Sequence, residues 1–524
     1  MTEPVAGAHD PATRWFLTAD ERGNPATHID RRRGSDLAWT DGNRVEALID
    51  GAAYYQRLFE VLRSLGPGDK LFFTDWRGDW DERLDGEGTE IGEVLASLAR
   101  GGVDIRGLMW RSHPTRMHFS EQQNLELGRM VNAAGGEVLL DERVRVAGSH
   151  HQKLVVAERR GAEDVAFVGG IDLCHGRRDD QRHLGDPQGI SIGSRYGARP
   201  PWHDVQLQVV GPAVADLAWT FRERWMDPTP LDHRNPLRWA FARTARQPRR
   251  PQPLPPPAPE PARDGSRLVQ VLRTYPAKRP PLPFAPRGER SIARAYMKAF
   301  SLARSLIYIE DQYLWSGVVG ELLAEALRRN RELRVLIVVP PFPDRDGRVS
   351  GPPSRIGQIE ALDRLRSAAA DRVGVYHLVN DEGRPIYIHA KVCVVDDVWA
   401  IVGSDNMTIR SWTHDSELSC SIVDEVRDHR EPSDPSGAGD GARAFARELR
   451  LRLWREHLGR DDEAGLLDPR EGLQAWRQAA DRSDSRVRLH RPEPVRSWQL
   501  AWARPAYRFV VDPDGRFRGQ RQGF

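Results

Sequence analysis

The sequence predicts an α/β protein of two similar α/β/α halves with mixed sheets, packed against each other as a pseudo-dimer within one chain. Three observations predict it. Short β-branched runs alternate with stretches of helical periodicity through residues 70–225, and again, in the same order, through 291–457. Between the two series lies PRRPQPLPPPAPEPAR, whose prolines can neither continue a helix nor donate along a central strand. A His-x-Lys pair stands at the same place in each series, at His151/Lys153 and His389/Lys391. The expected divisions are 1–245 for the first half, 246–290 for a Pro/Arg-rich linker, 291–462 for the second half and 463–524 for a tail.

Residues 1–44 are polar and carry no motif. Arg44–Leu65 has apolar residues at helical spacing and ends at Gly66-Pro67-Gly68, so it is expected to be a helix. A strand is expected at Lys70–Thr74, a helix at Glu90–Arg100 and a buried strand at Val103–Trp110. A loop over 111–124, a helix near Leu125–Ala134 and a strand at Glu137–Leu140 follow. The first His-x-Lys opens a strand ending at Glu158, and Val165–Val168 leads into Gly169, Gly170 and Asp172. Trp202, His203 and Asp204 head the strand Val205–Val210, and a helix at Ala213–Trp225 closes the half.

The second half answers in order: helix Ser291–Ser305, strand Leu306–Glu310, helix Leu322–Arg329 and strand Leu333–Val339. A Pro/Gly/Arg loop, a helix near Ile359–Ala369 and the strand Val373–Leu378 come next. The run YIHAKVCVVDDVWAIVGSDN then carries the second pair, and Glu417 heads the strand Leu418–Val423 before the helix Arg443–His457. In the tail, Trp476, Trp498 and Trp502 are expected to cover the core, with membrane-interface anchoring as the other use of such residues.

Composition narrows the function. A formal charge of +2 is too small for a strong nucleic-acid binder. Only five of the 77 basic residues are lysines, and two of those five stand in His-x-Lys pairs, where a compact ammonium suits a phosphate oxygen as a point charge. Three scattered cysteines fit neither a disulfide framework nor a zinc knot. No basic-then-apolar leader opens the chain and no run reaches the roughly 18 residues of a membrane span. A cytoplasmic protein that touches membranes peripherally is expected.

Two residues apart in a strand, His and Lys project from one face. An imidazole beside an ammonium is chemistry for a phosphate ester: one attacks or protonates, the other holds charge. Glu158 and Asp396 lie seven residues after their histidines, an odd offset that turns them away or past the strand end, as structural support. Gly403, Ser404 and Asn406, like Gly169 and Gly170, are small or amide-bearing residues expected to offer donors to an anion. Asp172 aligns with Asn406 and, being an acceptor, is expected to hold a lysine. Asp204 and Glu417 are the carboxylates that could fix the histidine tautomers, with Asp179 and Asp180 as competitors in the first half. His150 is turned away from the site by strand alternation. His9, His28, His233, His429 and His457 carry no context and are expected at the surface.

These residues resemble the phospholipase D superfamily, which has a doubled H-x-K-x4-D pattern, and most of all its plant and animal type. The matching phrases are TDW (74–76), HHQKLVV (150–156), FVGGIDLCHGR (167–177), PWHD (201–204), IYIEDQY (307–313), IHAKVCVVDD (388–397), IVGSDN (401–406) and SEL (416–418). The one departure is Glu158 in place of Asp. The C2 or PX–PH modules of such enzymes find no room in the sequence. The resemblance implies the phospholipase D fold and a phosphodiesterase of phospholipid headgroups, by hydrolysis or transphosphatidylation. It implies a phosphohistidine on His151 and a proton from His389. Lys153, Lys391 and Asn406 would steady the phosphate oxygens, while Asp204 and Glu417 would orient the imidazoles. No metal and no cofactor are expected. The expected partner is a phospholipid at a membrane surface rather than nucleic acid, and the chain is expected to be a monomer. A nuclease of the same fold and a lipid-binding protein with a weakened site are the alternatives.

Overall fold

The computed structural model describes residues 11–29, 38–111, 121–231, 248, 250–343, 351–521 and 523–524. The first half supplies β1 (Thr40–Ile49), β2 (Lys70–Asp75), β3 (Asp104–Trp110), β4 (Glu137–Asp141), β5 (Leu154–Glu158), β6 (Val165–Gly169), β7 (Trp202–His203) and β8 (Val205–Val210). After β9 (Arg267–Tyr275) and β10 (Glu289–Arg290) come β11 (Leu306–Glu310), β12 (Arg334–Val338), β13 (Val373–Leu378) and β14 (Tyr387–Ile388). β15 (Val392–Val395), β16 (Trp399–Gly403), β17 (Glu417–Asp424) and β18 (Val487–Leu489) complete the set.

The two half-sheets are one. Their order is β18-β13-β12-β11-β15-β16-β17-β9-β1-β8-β6-β5-β2-β3-β4, with β10 on β9. Read outward from the β9–β1 seam, β9, β17, β16, β15, β11, β12, β13 repeat β1, β8, β6, β5, β2, β3, β4, so the internal repeat is visible in the topology. In each half the inner pairs are antiparallel and the outer ones, β2–β3–β4 and β11–β12–β13, are parallel. This is the mixed α/β sheet that the sequence predicts.

Helices cover both faces. Gly51–Arg63, Ile91–Arg100 and Glu121–Ala133 pack on one face of the first half; Ser291–Leu302, Gly317–Arg329 and Gly351–Ala369 pack on the second half. Ala213–Trp225 and Ala444–Leu458 share the apolar cluster on the other face, which is continuous across both halves. Trp476 closes that cluster at 0% exposure, packed on Tyr376 and Trp454.

The structure departs from the expected elements at two places near the seam. Thr40–Ile49 is a strand, and the helix begins only at Gly51. Its apolar residues fit either period, and Asp50, at φ +66°, breaks the run between the two elements. The span 246–290 is extended through its prolines, but it also contains β9, in the middle of the sheet. β9 pairs with β17 from Glu417↔Thr274 to Asp424↔Arg267 and with β1 at Thr40↔Val269. The run RLVQVLRTY has its own buried valines and leucines, which the surrounding Pro-rich composition hid. Buried ion pairs fasten this seam: Arg273 to Glu223 and Glu289, both at 2.7 Å, and Arg22 to Glu289 at 3.0 Å. Among the described residues, no helix is long and apolar enough to cross a membrane.

Candidate active site

Both His-x-Lys segments lie just ahead of a strand, β5 or β15, and are docked by backbone on the opposite half. His151 N–H donates to Ser416 O at 2.9 Å, and Ser416 N–H returns to Ser149 O at 3.0 Å. In the same manner β14 pairs in parallel with β7, and His389 N–H donates to His203 O at 2.8 Å. Each histidine therefore meets the residue heading the other half's strand.

The side chains follow the backbone. His151 Nδ1 lies 2.9 Å from Glu417 Oε2, and His389 Nδ1 lies 2.6 Å from Asp204 Oδ2. The sequence offers one carboxylate per half; the fold exchanges them. With Nδ1–H committed to a carboxylate, Nε2 is the ring atom that remains for chemistry. Asp179 and Asp180 take other parts: Asp179 accepts from Trp202 N–H at 2.9 Å, and Asp180 pairs with Arg182 at the surface.

The ammoniums turn toward the same seam. Lys153 Nζ donates to His151 O at 3.0 Å and stands 3.2 Å from Asp172 Oδ1. Lys391 Nζ donates to His389 O and, at 3.2 Å, to Gln312 Oε1. Burial, then the ammoniums of Lys153 and Lys391, hold His151 well below the ordinary imidazole range. Burial, then Lys391 and Arg177, do the same to His389. Burial draws Lys391 down to about 8. Burial and Asp415 push Glu417 up to about 8. Asp204 is raised by burial as well. Each lysine thus acts on the other half's histidine as well as on its own.

The expected anion donors divide. Asn406 is buried, and its carboxamide oxygen has no hydrogen-bond partner among the described residues. Gly403, Ser404, Gly169 and Gly170 are corrected, since their backbone N–H groups face the sheet and not an anion. Gly403 N–H donates to Lys391 O, Ser404 N–H to Leu418 O and Gly170 N–H to Val205 O, while Gly169 sits in the β6–β8 ladder. The glycines make room: a Cβ on Gly170 would come 2.1 Å from Asp204 Oδ1, and one on Gly403 1.8 Å from Ser419 Oγ. Ser404 Oγ donates to Glu417 Oε2 at 2.6 Å, so it supports the His151 partner.

The two support carboxylates stand away from the lysines. Asp396 lies past the end of β15 at φ +54° and accepts the N–H groups of Arg304, Ser305 and Leu306, each at 2.8 Å. Glu158 ends β5 and pairs with Lys70 at 2.7 Å and Arg222 at 3.5 Å. His150 is buried within the fields of Arg224 and Asp141. Of the histidines expected at the surface, His429 is exposed and His28 stacks half-buried on Trp219. His457 is fully buried, 2.8 Å from Glu310. His9 and His233 lie outside the described residues, as do 112–120 within the loop 111–124 and 344–350 within 340–358.

Sequence reasoning missed three contributors. Gln312 orients Lys391 and is itself held by Tyr387 OH at 2.7 Å. Arg177 lies 3.9 Å over the Trp202 ring, which in turn packs 4.9 Å from His389. Ser411 Oγ donates to Glu417 Oε1 at 2.9 Å. Gln312 and Arg177 sit inside the IYIEDQY and FVGGIDLCHGR phrases, so the signal was present without a role.

Residues 81–244 match the family model described as phospholipase D, and residues 296–430 match the one described as cardiolipin synthase, PLD-like domain. The chain belongs to the phospholipase D superfamily. Within the superfamily, phospholipase D gamma 2 of Arabidopsis thaliana is 25% identical, covering 83% of this chain and 67% of that protein. Phospholipase D1 of Schizosaccharomyces pombe is 27% identical, covering 62% of this chain and 28% of that protein. The chain therefore spans from 28% to 67% of the length of these relatives. The structure of phosphatidylserine synthase from Haemophilus influenzae aligns with a TM-score of 0.50 at 16% identity, covering 72% of this chain and 82% of that one, and bears on the fold alone.

Proposed function

We propose that this chain is a phospholipid phosphodiesterase that releases or exchanges headgroups through a phosphohistidine. The observation that carries it is the crossed pair, His151 on Glu417 and His389 on Asp204, with an ammonium beside each ring. His151 Nε2 attacks phosphorus, and the P–O bond to the headgroup alcohol breaks. His389 Nε2–H gives its proton to the departing oxygen, then takes one from water or a second alcohol, whose oxygen attacks phosphorus and frees His151. The diester's own negative charge offsets the lysines that depress His389, so substrate binding raises the imidazole that must act as acid. Lys153, Lys391 and Asn406 hold charge on the non-bridging oxygens.

Two features favour a lipid. The relatives are phospholipases D by name, and the tail exposes Trp498 (66%), Phe509 (78%) and Val510 (64%). That tail is fixed to the rim of the second motif, since Arg410 N–H donates to Asp512 Oδ1 at 2.7 Å and Tyr507 OH to Trp315 O at 2.6 Å.

The test compares headgroup release from phosphatidylcholine, phosphatidylethanolamine and phosphatidylglycerol vesicles with cleavage of a single-stranded DNA oligonucleotide, with and without a primary alcohol. Release from vesicles is expected, and acid-quenched enzyme should carry phosphate on His151 and none in His151→Ala. DNA cleavage without headgroup release would select the nuclease; lipid binding without turnover would select a binding protein.

A further inference from the structure

Next to Asp204 in the chain, His203 is one of seven titratable residues from both halves that meet in a buried cluster. His203 Nδ1 lies 2.9 Å from Asp50 Oδ1 and 3.3 Å from Glu456 Oε1, and His183 Nε2 lies 3.2 Å from the same Glu456 oxygen. On the other side of the ring, His203 Nε2 lies 2.8 Å from Glu310 Oε2. Glu310 Oε1 also meets His457 Nε2 at 2.8 Å and the Tyr308 hydroxyl.

The distribution of protons makes this more than an ion-pair network. His183 Nδ1 faces Trp202 O at 3.0 Å, a carbonyl that can only accept, so Nδ1 carries a proton and, in the neutral ring a metal requires, the lone pair is on Nε2. Glu310 receives His203 Nε2–H in the same way, which in the neutral ring leaves the second lone pair on His203 Nδ1. Both lone pairs then point to one place, where Asp50 and Glu456 also place an oxygen, all within 4.8 Å of one another. A histidine whose far N–H is fixed by a carbonyl or carboxylate is the usual support of a metal ligand. Three of the donor–donor distances, 2.9–3.3 Å, are close to the edges, about 3.3 Å, of a tetrahedron with bonds of roughly 2.0–2.1 Å. Two of the four residues, Asp50 and His183, are held at positive φ, +66° and +52°. A route in exists, because Asp50 and Glu456 border a solvent-filled cavity also lined by Arg182 and Arg455.

We propose that Asp50, His183, His203 and Glu456 bind one divalent transition-metal ion of the zinc class at the seam between the halves. Two imidazoles in the donor set select against calcium and magnesium, which prefer all-oxygen shells. The other grouping around His203, with Glu310 and His457, is a poorer site. His457 Nδ1 is buried without a hydrogen-bond partner among the described residues, so its proton belongs on Nε2, directed at Glu310. The ion would sit beside the catalytic layer rather than in it. Asp50 N–H donates to Asp204 O at 2.8 Å and His203 O receives His389 N–H, so the metal would fix the backbone that presents the Asp204–His389 pair. This proposal does not rest on the substrate assigned above.

The experiment uses the full chain, stripped with a chelator and reloaded with Zn²⁺ or Co²⁺. Wild type is expected to take up one equivalent of zinc, to melt at higher temperature when loaded, and to show the visible absorption of four-coordinate Co²⁺. His183→Gln and Asp50→Asn should weaken binding on the order of 10–100-fold, while His457→Gln and His151→Gln keep it. Removing a buried charge can unfold a chain, so the wild-type cobalt spectrum and its retention in His151→Gln form the second readout. No stoichiometric metal in wild type, metal retained in folded His183→Gln and Asp50→Asn, or metal lost in His151→Gln would each overturn the proposal. The first result would mean that His203 is an imidazolium donating to both Asp50 and Glu310.

Discussion

Lys153 and Lys391 occupy equivalent places in the two halves, yet their neighbours differ. Lys153 faces the carboxylate of Asp172, itself within 3.6 Å of Arg177, whereas Lys391 faces the neutral amide oxygen of Gln312. Asp172 stays ionised, because the fields of Lys153 and Arg177 overcome the effect of its burial. The first ammonium is therefore partly offset by a carboxylate of the protein. On the second, burial and then Lys153 outweigh Asp204, Asp311 and Asp172, and its pKa falls to about 8. Two copies of one motif share the work unequally: one lysine is also tied to a scaffold carboxylate, and the other keeps more of its charge for the substrate's anion. The support carboxylates differ in the same spirit. Asp396 caps three backbone amides, while Glu158, one methylene longer, reaches a lysine and an arginine instead. In the first half, amide capping has moved to Asp69, which accepts from Gly66 and Arg160 N–H.

This comparison can be broken in four ways. Lys391→Met should lower kcat on the order of 10²–10³-fold with little change in melting temperature, as expected for a charge used in the transition state; a loss mainly in stability would reverse the assignment. Lys153→Met should instead destabilise by about 3 kcal/mol, since it strands a buried carboxylate. Adding Asp172→Asn should restore most of that stability, as measured by denaturant melts. In pH profiles, kcat/KM should fall about tenfold per unit above pH 8, because Lys391 is charged below about 8 and neutral above it. A profile flat to pH 10 would show that Lys391 is not the essential cation. Smallest of all, Glu158→Ala should cost about 1–2 kcal/mol and leave turnover within roughly twofold. Glu158→Asp should not raise activity, because Asp69 already does the capping.

Much of the site was legible because its chemistry is local. His-x-Lys recurs in both halves and is followed in each by a small-residue turn and a carboxylate heading a strand, and the fold brings His151 to Glu417, His389 to Asp204 and Lys153 to Asp172. What was hidden depends on which half touches which. No spacing reveals that Glu417 serves His151 and Asp204 serves His389, since either carboxylate heads an equivalent strand. Gly403 and Ser404 misled because small residues suit an anion cradle and a crowded strand crossing equally well; the Ser419 and Glu417 contacts decide. β9 was lost in the composition of its surroundings, and His457 in a helix whose polar residues turn inward, Arg447 and Arg450 onto Asp397 and His457 onto Glu310.

The β9–β1 seam limits how the molecule can move. A sheet hydrogen-bonded from β18 to β4 makes the two halves a single plank, and swinging them apart like a clam would tear a ladder along its middle. A phosphodiester substrate must then enter and leave past loops and side chains at the rim while the chassis stays still. Turnover would be governed by how those edges yield, and gluing the halves together with an engineered cross-link at the seam should slow nothing.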